Sequence, residues 1–526
     1  MTMEARISDL GRLHEIIRVF TIVGFDDLFK RMGFEDLAGR TGRFMGLKDA
    51  EDIAHLERPQ RVRWAFETLG PTFIKLGQIL ATRPDLFGPE WIAEFEKLQA
   101  QAPPVDFKEI RQQVEHDLGA PLEELFDKVD PTPLAAASVA QVHRATLKDG
   151  TDVVLKIQRP GIRPRIDADM RLLAHLAALA EKHVPELAAY HPQKVVQQFA
   201  KSLGNELNFV TEAQNSEHVA ANFEGNSQIV IPKIYWEWTR ERINVQEFVD
   251  GIPGVDLKAL DAAGMDRKRL AQTGANAVLK MIMVDGLFHA DPHPGNFFIL
   301  PRGRIAFVDF GMMGRVSEAR RQQIMKLLRS MLENDVDGLC EILLQWAGRE
   351  GDDPGELTGA VADFLGEYAG KSIGLTDLSA MVAALLSLVR DNNLSMPPDQ
   401  AMLLKVFVSL EGAFKKLDAD FDIMAAVQPT LQEVVTDQLS PRALGKRALK
   451  IATQYAELFA DLPKEVRRGI YSVKTGNLKI RIELSQFEQL QRGVMRGARL
   501  LAMASIASAV VIGGALVLVL KPKPKE

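Results

Sequence analysis

His289-Ala290-Asp291-Pro292-His293-Pro294-Gly295-Asn296 and Phe307-Val308-Asp309-Phe310-Gly311, whose Asp309 stands thirteen residues beyond Asn296, decide how this chain is read. The first stretch spells H-x-D-x-x-x-x-N, and the second is an apolar run that ends in D-F-G. Phosphoryl transfer asks little covalent chemistry of a protein, but it needs a carboxylate on the acceptor side and oxygen ligands for magnesium. Asp291, Asn296 and Asp309 supply that set at catalytic-loop spacing. Either pattern alone could be a turn with solvated polar caps; the two in register point to ATP and Mg²⁺.

Upstream, Lys156 closes the apolar run Val153-Val154-Leu155, where a kinase small lobe keeps the lysine that holds the α- and β-phosphates. Glu212, in Phe209-Val-Thr-Glu-Ala-Gln-Asn215, is the glutamate expected to orient it. A glycine-rich phosphate loop is missing. Leu134, Ala135, Ala136, Ala137, Ser138, Val139, Ala140, Gln141 and Val142 fill its slot, and each added Cβ disfavours positive φ. On that stretch alone an alanine-rich helix start is the simpler reading. By position, Glu247-Phe248-Val249 before Asp250-Gly251 is the interlobe hinge, so Glu247 and Val249 are candidate adenine contacts. His289 and His293 stand four apart, but Pro292 and Pro294 forbid a regular helix, which argues against zinc.

The chain has 526 residues, more than one growing core accommodates. Its apolar content of 46%, charged content of 25% and net charge of −6 suit a globular protein and argue against nucleic acid as a partner. The single cysteine, Cys340, excludes an intrachain disulfide and reads as a small buried helix residue. Near the N-terminus, Ile16 to Gly24 is apolar, short and interrupted by Arg18, the mark of an amphipathic helix. Residues 500–520 are uncharged, flanked by Arg496 and Arg499 and by Lys521, Lys523 and Lys525. As a helix they would reach about 31 Å, against a hydrocarbon thickness of about 30 Å. Positive charge at both ends leaves orientation open. An ATP site would put residues 1–499 in the cytoplasm, with one pass through the inner membrane.

Four units follow. Residues 1–104 read as helices, with Gly70 and Pro71 breaking an amphipathic run over 62–80 and Pro103-Pro104 as a linker. Residues 105–250 read as a small lobe. Lys148-Asp149-Gly150-Thr151 turns a hairpin, residues 165–222 are inserted helices, and strands are expected over 229–236 and 242–249. Residues 251–499 read as a helical lobe with short strands near Phe297 and Ile305, and 500–520 as the membrane helix. The expected class is α+β, two-lobed and protein-kinase-like, with the ATP cleft between the lobes. After Gly311 helical sequence resumes at Ser317 and no A-P-E follows, so no platform for a peptide substrate is expected.

Lys75-Leu76-Gly77-Gln78 with Thr82-Arg83-Pro84-Asp85, the alanine-rich loop with Gln141-Val142-His143-Arg144-Ala145, and the His289–Asn296 loop together resemble the UbiB family of atypical protein-kinase-like proteins. The resemblance spans roughly residues 60–315. It implies nucleotide with magnesium, support of ubiquinone biosynthesis at the membrane, and partners among membrane lipid, prenylated quinone precursors or the enzymes that handle them. A homodimer is left open. It also implies that Asp291 is the proton acceptor, that Asn296 and Asp309 hold metal, and that the K-x-G-Q helix covers the cleft where a peptide would sit. Lys75 and Gln78, three apart, share one helix face. The family's E-x-D reads Glu206-Leu207-Asn208 here, which removes one charge. Two other readings stand beside a membrane-anchored ATPase: a small-molecule phosphotransferase, which the K-x-G-Q segment argues against, and a nucleotide-binding scaffold for a membrane complex.

Overall fold

The computed structural model describes residues 3–34, 53, 55–81, 88–98, 102–184, 192–289, 294–349, 351–368, 378–392, 394, 396, 398–423 and 426. The expected membrane helix over 500–520 lies outside them, as do Asp291 and His293. Among the described residues no helix is long and apolar enough to cross a membrane.

Helices open the chain. The amphipathic segment expected at Ile16 is the end of α1 (Met3–Ile22), which a short α2 (Asp26–Arg31) follows. Then α3 (Arg58–Leu69) and α4 (Pro71–Ala81) form one helical run broken where the sequence predicts. Gly70 takes φ +91°, out of reach for most side chains, and Pro71 starts the next helix, where a missing N–H costs nothing. Gly77 lets α4 pack closely: a Cβ there would overlap Leu98 and stand 2.9 Å from Phe66 Cδ2. Next comes α5 (Pro89–Glu96). Residues 102–106 are extended, as expected of a linker, but they are tied down. Gln141 accepts from the Val105 amide at 2.8 Å and donates to its carbonyl at 3.2 Å.

Asp106 caps α6 (Phe107–Leu118), and a single turn, α7 (Leu122–Leu125), leads into β1 (Phe126–Val129), a strand the sequence reading missed. The small lobe is a five-stranded antiparallel sheet of β1, β2 (Ala135–Ala136), β3 (Ala140–Leu147), β4 (Asp152–Gln158) and β6 (Ile243–Glu247). The alanine-rich segment is therefore a hairpin and not a helix start; Ala135 pairs with Val142 and Ala136 with Gln141. Its turn uses no positive φ, which is why alanine serves there. Between β4 and β6 lie α8 (Ile162–His183), α9 (Pro192–Glu206) and α10 (Phe209–Asn222), the insertion expected from the spacing. The strand expected over 229–236 shrinks to β5 (Ile229–Val230), because Pro232 cannot donate to a ladder. That short strand pairs in a second sheet, parallel to Ile305–Ala306.

From β6 the chain crosses to β7 (Ile252–Pro253). Gly251 permits the crossing, since a Cβ there would stand 3.0 Å from the Ile299 carbonyl. The large lobe holds α11 (Leu257–Ala262) and α12 (Arg267–Lys280). A π-helical turn follows over Met281–Asp285, then β8 (Leu287–His289), β9 (Phe297–Leu300), β10 (Arg304–Phe307) and β11 (Met313–Arg315). The polypeptide then enters α13 (Glu318–Glu333), α14 (Val336–Trp346), α15 (Glu356–Tyr368), α16 (Leu378–Asp391) and α17 (Pro398–Leu417). Ser317 caps α13 by accepting from the Arg320 amide, so nothing like an activation segment separates Gly311 from the next helix. Cys340 is buried on α14. One apolar core unites α12 to α17 with β9 and β10, a second unites α1 to α5 with α8 and α9, and a third lies under the small sheet.

Candidate active site

Four elements bring the charged groups together. On β4, Lys156 points to the open face of the small sheet, and its Nζ lies 2.6 Å from Glu212 Oε1 on α10. The same Nζ lies 3.6 Å from Asp309 Oδ1 and 5.5 Å from the Phe209 ring. Asp309 accepts from the Gly311 amide at 2.9 Å, which fixes its carboxylate just after β10. Two bonds join the D-F-G turn to the small lobe: Asn215 donates to the Phe310 carbonyl at 3.3 Å and Gln246 to the Val308 carbonyl at 3.3 Å. His289 on β8 packs against Phe310, with ring centroids 6.3 Å apart.

Electrostatics follow from two carboxylates sharing one ammonium. Burial alone would lower Lys156, but the charges of Asp309 and Glu212 overcome it and hold the ammonium above the ordinary lysine range. Burial pushes the Glu212 carboxyl up to about 7 despite Lys156 beside it. For Asp309, burial is outweighed by Lys156 and the Gly311 amide, and its carboxyl falls well below the usual range. Its side chain stays 43% exposed toward the cavity. Asp309 therefore stays anionic while Glu212 carries the proton most easily gained.

These groups face one chamber of about 710 Å³ between the lobes. Lys75, Gln78, Ala137, Ser138, Val139, Ala140, Lys156, Glu206, Glu212, Asn296 and Asp309 line it, so most of the residues singled out in the sequence converge. Asp291 is undescribed, but His289 and Pro294 on either side of its loop line the chamber too. Leu134, Ala135, Ala136, Gln141, Val142, Glu247 and Val249 do not. Gln141 is wholly buried, bonded to Val105 and His143, and Leu134 is exposed to solvent. Glu247 donates its amide to the Lys233 carbonyl. Asn208 stays outside as well: it caps α10, accepting from the Val210 amide at 3.1 Å, a task an aspartate would perform equally.

The K-x-G-Q helix forms one wall. Lys75 pairs with Glu206 at the end of α9, and Gln78 donates to the Leu98 carbonyl at 3.0 Å. The sequence reading missed another wall, a face of α17 made by Lys405, Val408, Ser409, Gly412, Ala413 and Lys416. Its only signal was small and basic residues recurring at helical spacing within an otherwise apolar helix.

The donor set fits magnesium and nucleotide. Asp309 and Asn296 offer hard oxygen ligands of the kind Mg²⁺ prefers. Ser138 Oγ, buried at the loop tip, has no hydrogen-bond partner among the described residues and can donate to a phosphate oxygen.

A small antiparallel lobe with a Lys–Glu pair beside a helical lobe with a D-F-G turn is a protein-kinase-like fold. Comparison places it further. Residues 97–343 match the ABC1 atypical kinase-like domain and 361–422 the UbiB helical domain. The "Probable protein kinase UbiB" of Aeromonas salmonicida is 32% identical over 87% of this chain and 85% of its own. That of Aliivibrio salmonicida is 30% identical over 96% and 94%. The "Uncharacterized protein sll1770" of Synechocystis is 31% identical over 84% and 77%. Among solved structures, Rv3197 of Mycobacterium tuberculosis in complex with erythromycin aligns with TM-score 0.48 and 22% identity over 68% of this chain and 92% of that one. The chain belongs to the UbiB family of atypical kinase-like proteins.

Proposed function

We propose that this protein is a membrane-anchored, ATP-dependent atypical kinase-like ATPase that serves ubiquinone biosynthesis, acting on a lipid intermediate or on the enzymes that handle it. The observation that carries the reading is Lys156 Nζ at 2.6 Å from Glu212 and 3.6 Å from Asp309 on the wall of a chamber large enough for a nucleotide. In this reading Lys156 holds the phosphates, Glu212 positions it, and Ser138 and Ala140 cover them. Asn296 and Asp309 hold Mg²⁺, which when bound neutralises charge on the phosphates. Asp291 takes the acceptor's proton. The α4 wall argues against protein substrates in trans, and residues 500–520 tether the site to the inner membrane from the cytoplasmic side.

Metabolite profiles of a deletion strain test it. Wild type should restore ubiquinone, while Asp291→Asn and Asp309→Asn should leave a prenylated ring intermediate accumulated. Full restoration by either variant would leave a scaffold as the better account.

A further inference from the structure

Of the four lysines lining the chamber, three face carboxylates. Lys75 meets Glu206, Lys156 meets Glu212 and Asp309, and Lys405 lies 3.5 Å from Glu96. Lys416 meets none among the described residues, and it is exposed. Lys405 and Lys416 stand about 16 Å apart along α17. Between them Val408 and Ser409 are half-buried and Gly412 is exposed, while Leu403, Leu404, Phe407, Leu410 and Phe414 on the other faces are buried. A Cβ on Gly412 would meet nothing within 4 Å. The helix thus presents a shallow apolar notch to the cavity, bounded at one end by a cation that meets no carboxylate among the described residues.

We propose that this face of α17 is the acceptor subsite of the chamber, and that it takes an amphiphile with one anionic group: the phosphate or carboxylate sits on Lys416 and the apolar body lies over Val408 and Gly412. The inference rests on reading the same chamber as a nucleotide site, because α17 lines the chamber together with Lys156 and Asp309 and becomes the acceptor side only if nucleotide occupies theirs. It gives the matched helical domain a direct part in the site: that domain supplies the wall that chooses the acceptor. The charges agree with the assignment. Asp309 is the anion kept for a metal, and Lys416 is the cation kept for the second ligand.

Decyl phosphate, decanol and inorganic phosphate, each titrated into the detergent-solubilised full chain by calorimetry, test this. Wild type should bind decyl phosphate saturably and show no saturation with the other two. Lys416→Ala should weaken that binding at least about tenfold, whereas Lys416→Arg should stay within about threefold. Gly412→Phe, which fills the notch on a helix that tolerates the larger residue, should abolish it. Equal uptake of decanol or inorganic phosphate by wild type would overturn the proposal, as would undiminished binding in both Lys416→Ala and Gly412→Phe. Mg·ATP titrated into the same preparation separates the two ideas: its failure removes the nucleotide reading, whereas failure of decyl phosphate alone removes only this one.

Discussion

Lys405 donates a 2.6 Å hydrogen bond to the carbonyl of Ala81, so α17 holds the last turn of the K-x-G-Q helix across 324 residues of sequence. The bond joins a cation to a helix C-terminus, where the macrodipole favours positive charge. The K-x-G-Q helix is therefore tied by Lys405 at this end, in addition to the Lys75–Glu206 pair and the Gln78–Leu98 bond.

Lys405→Met should free the end of α4. Hydrogen–deuterium exchange over residues 71–81 is expected to quicken, with a loss of about 1.5 kcal/mol of local stability, as for a bond to a charged donor. Unchanged exchange there would mean that α4 is held by packing alone.

Gly77 is a packing requirement of the same helix. Gly77→Ala should lower stability by about 1–3 kcal/mol in thermal or urea melts, since its methyl runs into Leu98 and Phe66. Adding Leu98→Ala should recover part of the loss. A Gly77→Ala protein as stable as wild type would show that the motif's glycine serves something other than α3–α4–α5 packing.

Much of this was legible in the sequence, for reasons that can be named. The Gly70-Pro71 break and the Asp149-Gly150 turn are local and steric, so residue type alone determines them. Lys156 and Glu212 were legible because a motif fixes one and helical context the other. The alanine-rich loop was harder, since its hairpin depends on pairing with β3 and not on its own propensity. Gln141 looked like a loop residue, yet strand alternation turns it inward to the linker. The α17 wall was illegible because which face of a helix meets a cleft 250 residues upstream is decided by tertiary packing.

Glu212 predicts a pH signature. Its carboxyl titrates near 4.5 when exposed and at about 7 when folded, so the native state holds that proton more tightly. This group's contribution is full below pH 4.5 and is lost as pH climbs from about 4.5 to about 7. Glu212→Gln lacks that loss. The melting temperature of the variant relative to wild type should therefore rise between about pH 5 and about pH 8. A constant difference across that range would place the titrating proton elsewhere.

Calorimetric titration of Mg·ATP into the full chain, run in parallel on wild type and Asp309→Asn, tests the central claim most directly. Saturable Mg²⁺-dependent uptake by wild type is expected, with a loss of at least about tenfold in the variant, the scale of one missing metal ligand. No uptake by wild type, or equal affinity in the two proteins, would contradict it.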